Sequence, residues 1–211
     1  MSNNYKLHDW KRMSHDTPKI WDVNDLLERL VLHGEKTMFK YFERNELKEM
    51  KYCEFHNMVT NVAAGITALD LNGKRIAVIG ETSPQWLATY LGALASGSVI
   101  IPMDKELAVT EIEKFLSMVE ADAIVYSKSF NEKLEPAMST HPSLKHFIAI
   151  EAPANIDELP KVTSFDKFVE IGQAKVEEGF SIKMTTSRES YLLRPSSVPE
   201  TIFPHWSDPA I

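Results

Sequence analysis

Five groups of residues have the types and spacing to do chemistry. The turn Gly80-Glu81-Thr82-Ser83-Pro84 follows an apolar run and precedes a helical pattern, the place where phosphate-binding loops occur. It has one glycine, a carboxylate, and a proline where an amide donor is wanted. It therefore matches neither a dinucleotide fingerprint nor a Walker-type loop and reads as a structural turn. The hydroxyl-rich run Thr185-Thr186-Ser187-Arg188-Glu189-Ser190 could offer hydroxyls and a guanidinium to a phosphate, yet it lacks the glycine that lets backbone amides converge. It reads as a solvated loop. Asp104, after the next apolar run, and Glu81 could form an acidic pocket like that of a receiver domain. No matching lysine and hydroxyl positions follow, so a turn or capping carboxylate is the plainer reading. The seven histidines, His8, His15, His33, His56, His141, His146 and His205, include no i, i+4 helical pair and read as surface or loop residues. Cys53 stands at a strand-to-helix boundary, where a helix N-terminus could activate it; a buried small apolar residue is the commoner outcome. On this reading no residue is assigned a catalytic, cofactor-binding or metal-binding role.

The elements that must position these groups follow from apolar periodicity. Ile20 to His33 carries apolar residues at helical spacing, and Met38–Glu43 with Leu47–Tyr52 reads as a hairpin closed near Arg44-Asn45-Glu46. Glu54 to Asp70 is predicted helical, with Phe55, Met58, Val59, Val62, Ile66 and Leu69 on one stripe and Leu71-Asn72-Gly73 as the stop. Arg75–Gly80 is a short β-branched run expected to be a strand covered on both faces. Ser83 is its following helix's N-cap and Pro84 the first helical residue, with Leu87, Tyr90, Leu91 and Leu94 forming the apolar face and Gly97 the end. A second buried strand, Ser98–Met103, completes a βαβ unit whose strands must be parallel and whose crossover should be right-handed.

The pattern then repeats. Thr110 and Glu113 read as a capping box, Ile112, Phe115, Leu116 and Val119 as the helix's apolar face, and Ala121–Tyr126 as a strand. A helix over Ser129–Met138, a strand over His146–Ile150 and a helix from Thr163 to Glu178 stopped by Gly179 complete the series. The expected fold class is α/β, a mostly parallel sheet with helices on both faces. Residues 1–25 read as an N-terminal lead-in, 26–179 as the α/β subdomain, and 180–211, with prolines at 195, 199, 204 and 209, as an irregular or disordered tail. That tail fits a linker to a further domain, or an abnormal end left by truncation or a shifted reading frame.

The composition narrows the class of function. A chain of 211 residues that is 44% hydrophobic can bury one substantial core. Twenty-three basic against thirty acidic side chains, a net charge of −7, give no electrostatic reason to bind nucleic acid or an anionic membrane. A single cysteine excludes an intramolecular disulfide and multi-cysteine metal sites. The polar amino terminus lacks the apolar core of a signal peptide, and no run of about 18 apolar residues occurs, so a cytoplasmic location is expected.

The run Gly73-Lys74-Arg75-Ile76-Ala77-Val78-Ile79-Gly80-Glu81-Thr82-Ser83-Pro84-Gln85-Trp86, followed by Ala93 to Asp104, resembles the amino-terminal portion of adenylate-forming acyl-CoA synthetases. Lys105-Glu106-Leu107, Glu111-Ile112 and the Ala121–Tyr126 run are most similar to bacterial long-chain fatty-acid ligases. Thr82 stands where the family usually has asparagine, and Ser98 where it has alanine. The resemblance covers about Leu26 to Gly179. It implies an AMP-forming ligase that uses ATP, Mg²⁺ and coenzyme A, of which these residues supply an amino-terminal subdomain. The family's glycine-rich phosphate loop should begin just after Gly179, where Lys183–Ile211 stands instead. The chain alone is therefore expected to bind no cofactor and to be inactive. Its partners would be a fatty acid or a missing carboxy-terminal half, with self-association through an open sheet edge. The alternatives are a non-catalytic α/β interaction module that pairs with a ligase chain, or a small-molecule binding domain of another α/β family.

Overall fold

The computed structural model describes residues 20, 22–43 and 46–182; the expectations for 1–19, for the hairpin turn at 44–45, and for the hydroxyl run and tail from 183 onward lie outside the described residues. Helix α1, Val23–His33, is started by Asp22, whose carboxylate accepts from the Asp25 amide at 2.9 Å, and stopped by Gly34 at φ 48°. Strands β1, Thr37–Glu43, and β2, Glu46–Lys51, pair antiparallel with Phe42 opposite Leu47. Helix α2, Tyr52–Ala68, follows directly. Its first turn is held by the Lys51 amide, which donates to Glu54 Oε2 at 2.7 Å. It stops slightly ahead of the expected residue, because Asp70 already takes the left-handed conformation at φ 56° before Gly73 does so at 71°.

The five remaining strands form one fully parallel sheet in the order β4-β3-β5-β6-β7. They are β3, Arg75–Ile79; β4, Val99–Met103; β5, Ala123–Tyr126; β6, His146–Ala149; and β7, Val162–Ser164. Helices α3, Pro84–Ala95, and α4, Val109–Met118, connect the first three. The short turns α5, Asn131–Leu134, and α6, Ala137–Thr140, lie between β5 and β6, and α7, Phe165–Glu177, follows β7.

Alternate strand residues enter opposite cores, which is why the sheet has helices on both faces. Ile76, Val78, Ala123, Val125 and Ile148 pack with α1, α2, α3 and α7. Ala77, Ile79, Ile124, Tyr126, Phe147 and Ala149 pack with α4 and with Phe130, Leu134 and Ala137 of the 128–140 segment. Close helix packing on the first face depends on glycine. A Cβ on Gly92 would lie 2.6 Å from Val62, and one on Gly172 would lie 1.8 Å from the Asn61 carbonyl oxygen.

Several expectations need correction. Strand β4 is not buried: it is the sheet edge, with Val99 50% exposed. Its proline fits that position. The Val99 amide donates inward to the Lys74 carbonyl at 2.9 Å, so with period-two alternation residue 102 faces outward, where a missing N–H breaks no ladder bond. The buried face of α3 is the small-residue side, Ala88, Leu91, Gly92 and Ala93, while Leu87, Tyr90 and Leu94 are half-buried. Helix α4 starts two residues earlier than the expected Thr110–Glu113 capping box, with Ala108 as its cap. The Ala108 amide donates to Glu111 at 2.9 Å, and an alanine cap has no side-chain acceptor to return the bond. The helix expected over Ser129–Met138 is interrupted between α5 and α6 at Glu135-Pro136, where proline removes an amide donor. The helix expected from Thr163 begins instead at Phe165, because Val162–Ser164 adds a fifth strand to the sheet and Ser164 becomes the cap, accepting from the Lys167 amide at 3.2 Å.

Candidate functional site

In an open parallel sheet, ligands bind outside the carboxyl ends of the strands, at the point where strand order reverses. Here β3 comes first in the chain, β4 is laid on one side of it and β5 on the other. The reversal therefore lies between β3 and β5. The two turns that meet there are Gly80–Ser83 after β3 and Ser127–Ser129 after β5.

These turns close on each other. The Ser127 hydroxyl donates to Glu81 Oε2 at 2.5 Å, and Ser129 lies 3.3 Å from both carboxylate oxygens. The two serine hydroxyls are 3.1 Å apart, and the Ser127 amide donates to the Ile79 carbonyl. Gly80 permits the approach, since at its φ of 138° a Cβ would stand 2.3 Å from Ser127 Oγ. The hydrogen bond from Ser127, supported by Ser129 and by the Lys105 ammonium, holds the Glu81 carboxyl below its ordinary value against partial desolvation. The crevice thus contains an anion of the protein's own.

The start of α3 is likewise satisfied internally. Ser83 Oγ accepts from the Trp86 amide at 3.1 Å, and Pro84 has no N–H. An ATP phosphate does not fit here: it would meet a carboxylate, a capped helix end and a turn with one glycine. Across the whole chain no two glycines are closer than Gly92 and Gly97.

The other candidate residues do not converge on this crevice. Asp104 is a turn carboxylate, accepting from the Glu106 amide at 2.9 Å. Cys53 is neither activated nor buried. It is half-exposed in the first turn of α2 and donates to Glu35 Oε1 at 3.3 Å; desolvation and the Glu35 carboxylate push its thiol up. His33 is exposed and meets the Tyr52 ring in a tilted contact, with centroids 4.7 Å apart and planes at 46°. His141 is buried, contrary to the surface reading, with Nδ1 3.0 Å from Ser117 Oγ. His146 is half-buried, and desolvation with the neighbouring Lys145 lowers its pKa. Among the described residues, no group of three or more His, Cys, Asp or Glu side chains is placed to hold a metal ion.

The sequence reading passed over Ser127, the residue that closes the crevice. The available signal was the Ser-x-Ser spacing at the carboxyl end of a buried strand, one strand away from a turn carboxylate.

This α/β fold, a parallel sheet with helices on both faces, matches the amino-terminal domain of adenylate-forming ligases. The family model for AMP-binding enzymes matches residues 27–190, and the chain belongs to that family. It is 26% identical over 129 residues to the mitochondrial acyl-coenzyme A synthetase ACSM2A of Homo sapiens, covering 61% of this chain and 20% of that protein. It is 25% identical over 119 residues to an acyl-CoA ligase, YhfT, of Bacillus subtilis (strain 168), covering 56% and 25%. The crystal structure of the anthranilate CoA ligase AuaEII in complex with anthranoyl-AMP superposes with a TM-score of 0.61 at 21% identity, over 74% of this chain and 29% of that one. The chain thus spans a fifth to a quarter of the length of these curated relatives.

Proposed function

We propose that these residues are the amino-terminal scaffold of an AMP-forming fatty acyl-CoA ligase, and that the 211-residue chain does not form an acyl-adenylate by itself. In the complete reaction a fatty acid carboxylate attacks the α-phosphate of ATP, pyrophosphate leaves, and the coenzyme A thiol then displaces AMP. Mg²⁺ would offset charge on the phosphates in that reaction. The fatty acid is favoured as substrate by the likeness of Lys105-Glu106-Leu107 and the β5 run to long-chain ligases.

The observation that carries the reading is the carboxylate-filled junction of Glu81, Ser127 and Ser129 at the one place where this sheet topology would receive an anion. What these side chains do is join two turns. They do not bind a triphosphate. The test is ATP–pyrophosphate exchange by the purified chain with acids of several chain lengths. No exchange is expected, and robust exchange with any acid overturns the reading.

A second reading has its own support. Strand β4 presents an open, partly apolar edge, which favours a non-catalytic module that pairs with a ligase chain. Size-exclusion chromatography of the chain mixed with a candidate ligase separates the two readings, because only the second expects co-elution.

A further inference from the structure

Where helix α2 hands over to strand β3, the chain makes the turn Leu71-Asn72-Gly73-Lys74, closed by the Lys74 amide, which donates to the Leu71 carbonyl at 3.0 Å. Gly73 takes φ 71°, and a Cβ there would meet nothing within 4 Å. Among the described residues no acceptor holds the Gly73 amide. Asn72 is exposed and is the only asparagine of the sequence that precedes a glycine. Its side chain has a structural task. Nδ2 donates at 2.9 Å to the carbonyl of Ser96, the C-cap of α3, where a helix end leaves acceptors without an intrahelical donor.

A nucleophile thus stands beside an electrophile. The Gly73 nitrogen follows the Asn72 side-chain carbonyl at the spacing that closes a cyclic imide, and glycine has no side chain to obstruct the approach. A single exposed neutral hydrogen bond holds the Asn72 side chain back, a preference of only about fivefold.

We propose that Asn72–Gly73 is a self-modifying site, at which Asn72 deamidates and so releases the end of α3. The Gly73 nitrogen bonds to Asn72 Cγ, the Cγ–Nδ2 bond breaks, and the amide proton departs with Nδ2 as ammonia. Water then opens the imide to aspartate or isoaspartate. The product has a carboxylate where the Ser96 carbonyl had a donor, so like charges face each other at the negative end of the helix. Isoaspartate also lengthens the main chain by a methylene within the turn. The effect reaches the sheet edge directly, because the Lys74 carbonyl accepts from the Val99 amide at 2.9 Å. Deamidation is therefore a slow, one-way loosening of the α3–β4 connection. It does not depend on the ligase reading.

The test is incubation of the full chain at mildly alkaline pH, followed by tryptic peptide mapping in a mass spectrometer. Peptide Tyr52–Lys74 should gain the single mass unit that exchange of an amide for an acid brings, located at Asn72 by fragmentation. Asn57 and Asn61 of the same peptide, both inside α2, should stay unchanged. Asn72→Gln should abolish the gain. Amide hydrogen exchange of Asn72→Asp, which carries the product charge from the outset, reads the structural consequence. Gly97, Ser98 and Val99 should exchange about fivefold faster than in the unmodified chain, the size of one lost hydrogen bond. No gain at Asn72, an equal gain at Asn57 or Asn61, or unchanged exchange in Asn72→Asp would each overturn the proposal.

Discussion

At the scale of single residues, three side chains give measurable consequences. Glu81 has its carboxyl pKa depressed mainly by Ser127, so its contribution to stability is present above the ordinary carboxylate range and lost as pH falls through the lowered folded value. Glu81→Gln should therefore flatten acid unfolding below about pH 4.5, while costing under about 1 kcal/mol at neutral pH because the group is largely solvated. Urea unfolding at several pH values measures both effects, and an unchanged acid limb would show that Glu81 is not the linked group. Cys53 is held above its ordinary pKa by desolvation and Glu35, so it should alkylate more slowly than free cysteine at pH 7.5 and faster in Glu35→Gln. Iodoacetamide kinetics check this. At Gly172 two effects oppose each other. Alanine gains about 1 kcal/mol of helix propensity, but its Cβ would sit 1.8 Å from the Asn61 carbonyl oxygen, a backbone atom that cannot swing aside. The clash wins. Gly172→Ala should destabilise by about 3 kcal/mol in urea titration, by separating α2 from α7.

At the scale of elements, the cap on α3 and the proline in β4 each have a stated function. Ser83→Ala removes the acceptor for the Trp86 amide and should cost about 1 kcal/mol, read from the urea midpoint. In β4, Pro102 removes one of the few outward-facing amide donors from the open edge, so the edge pairing expected from sequence can involve only a short segment. Pro102→Val should promote association, seen as a rise in light scattering; unchanged scattering would show that this edge is not what associates. These elements also show what the sequence could reveal. Ser83-Pro84 and the β-branched Arg75–Gly80 run state their structure locally, through capping geometry and strand propensity, and both were legible. That β4 lies at the edge was not legible, because Val99–Ile101 has the same apolar composition as a central strand and strand order is decided by tertiary packing. The small-residue face of α3 was also hidden. Periodicity favours large apolar side chains, whereas close packing of two helices buries Ala88 and Gly92. Strand β7 has only three residues, too few for any periodic signal.

At the scale of the whole molecule, the same logic separates what the crevice could reveal from what it could not. The absence of a glycine-rich phosphate turn at Gly80–Pro84 was readable from residue types alone. The closure of the crevice was not, because Glu81 and Ser127 are 46 residues apart and meet only when β3 and β5 pair. Among the described residues no helix is long and apolar enough to cross a membrane. The parallel sheet, its two cores and the family match describe a scaffold that makes up a small part of its longer relatives. Among the described residues, the crevice at the β3–β5 switch point is filled by the Glu81 carboxylate and the Ser127 and Ser129 hydroxyls. The most direct measurement is an amide NMR titration of the chain with MgATP, following Gly80, Glu81, Ser127 and Ser129. The account predicts no saturable shift at these four residues at millimolar nucleotide. A saturable shift centred on them, lost on removing the γ-phosphate, would contradict it.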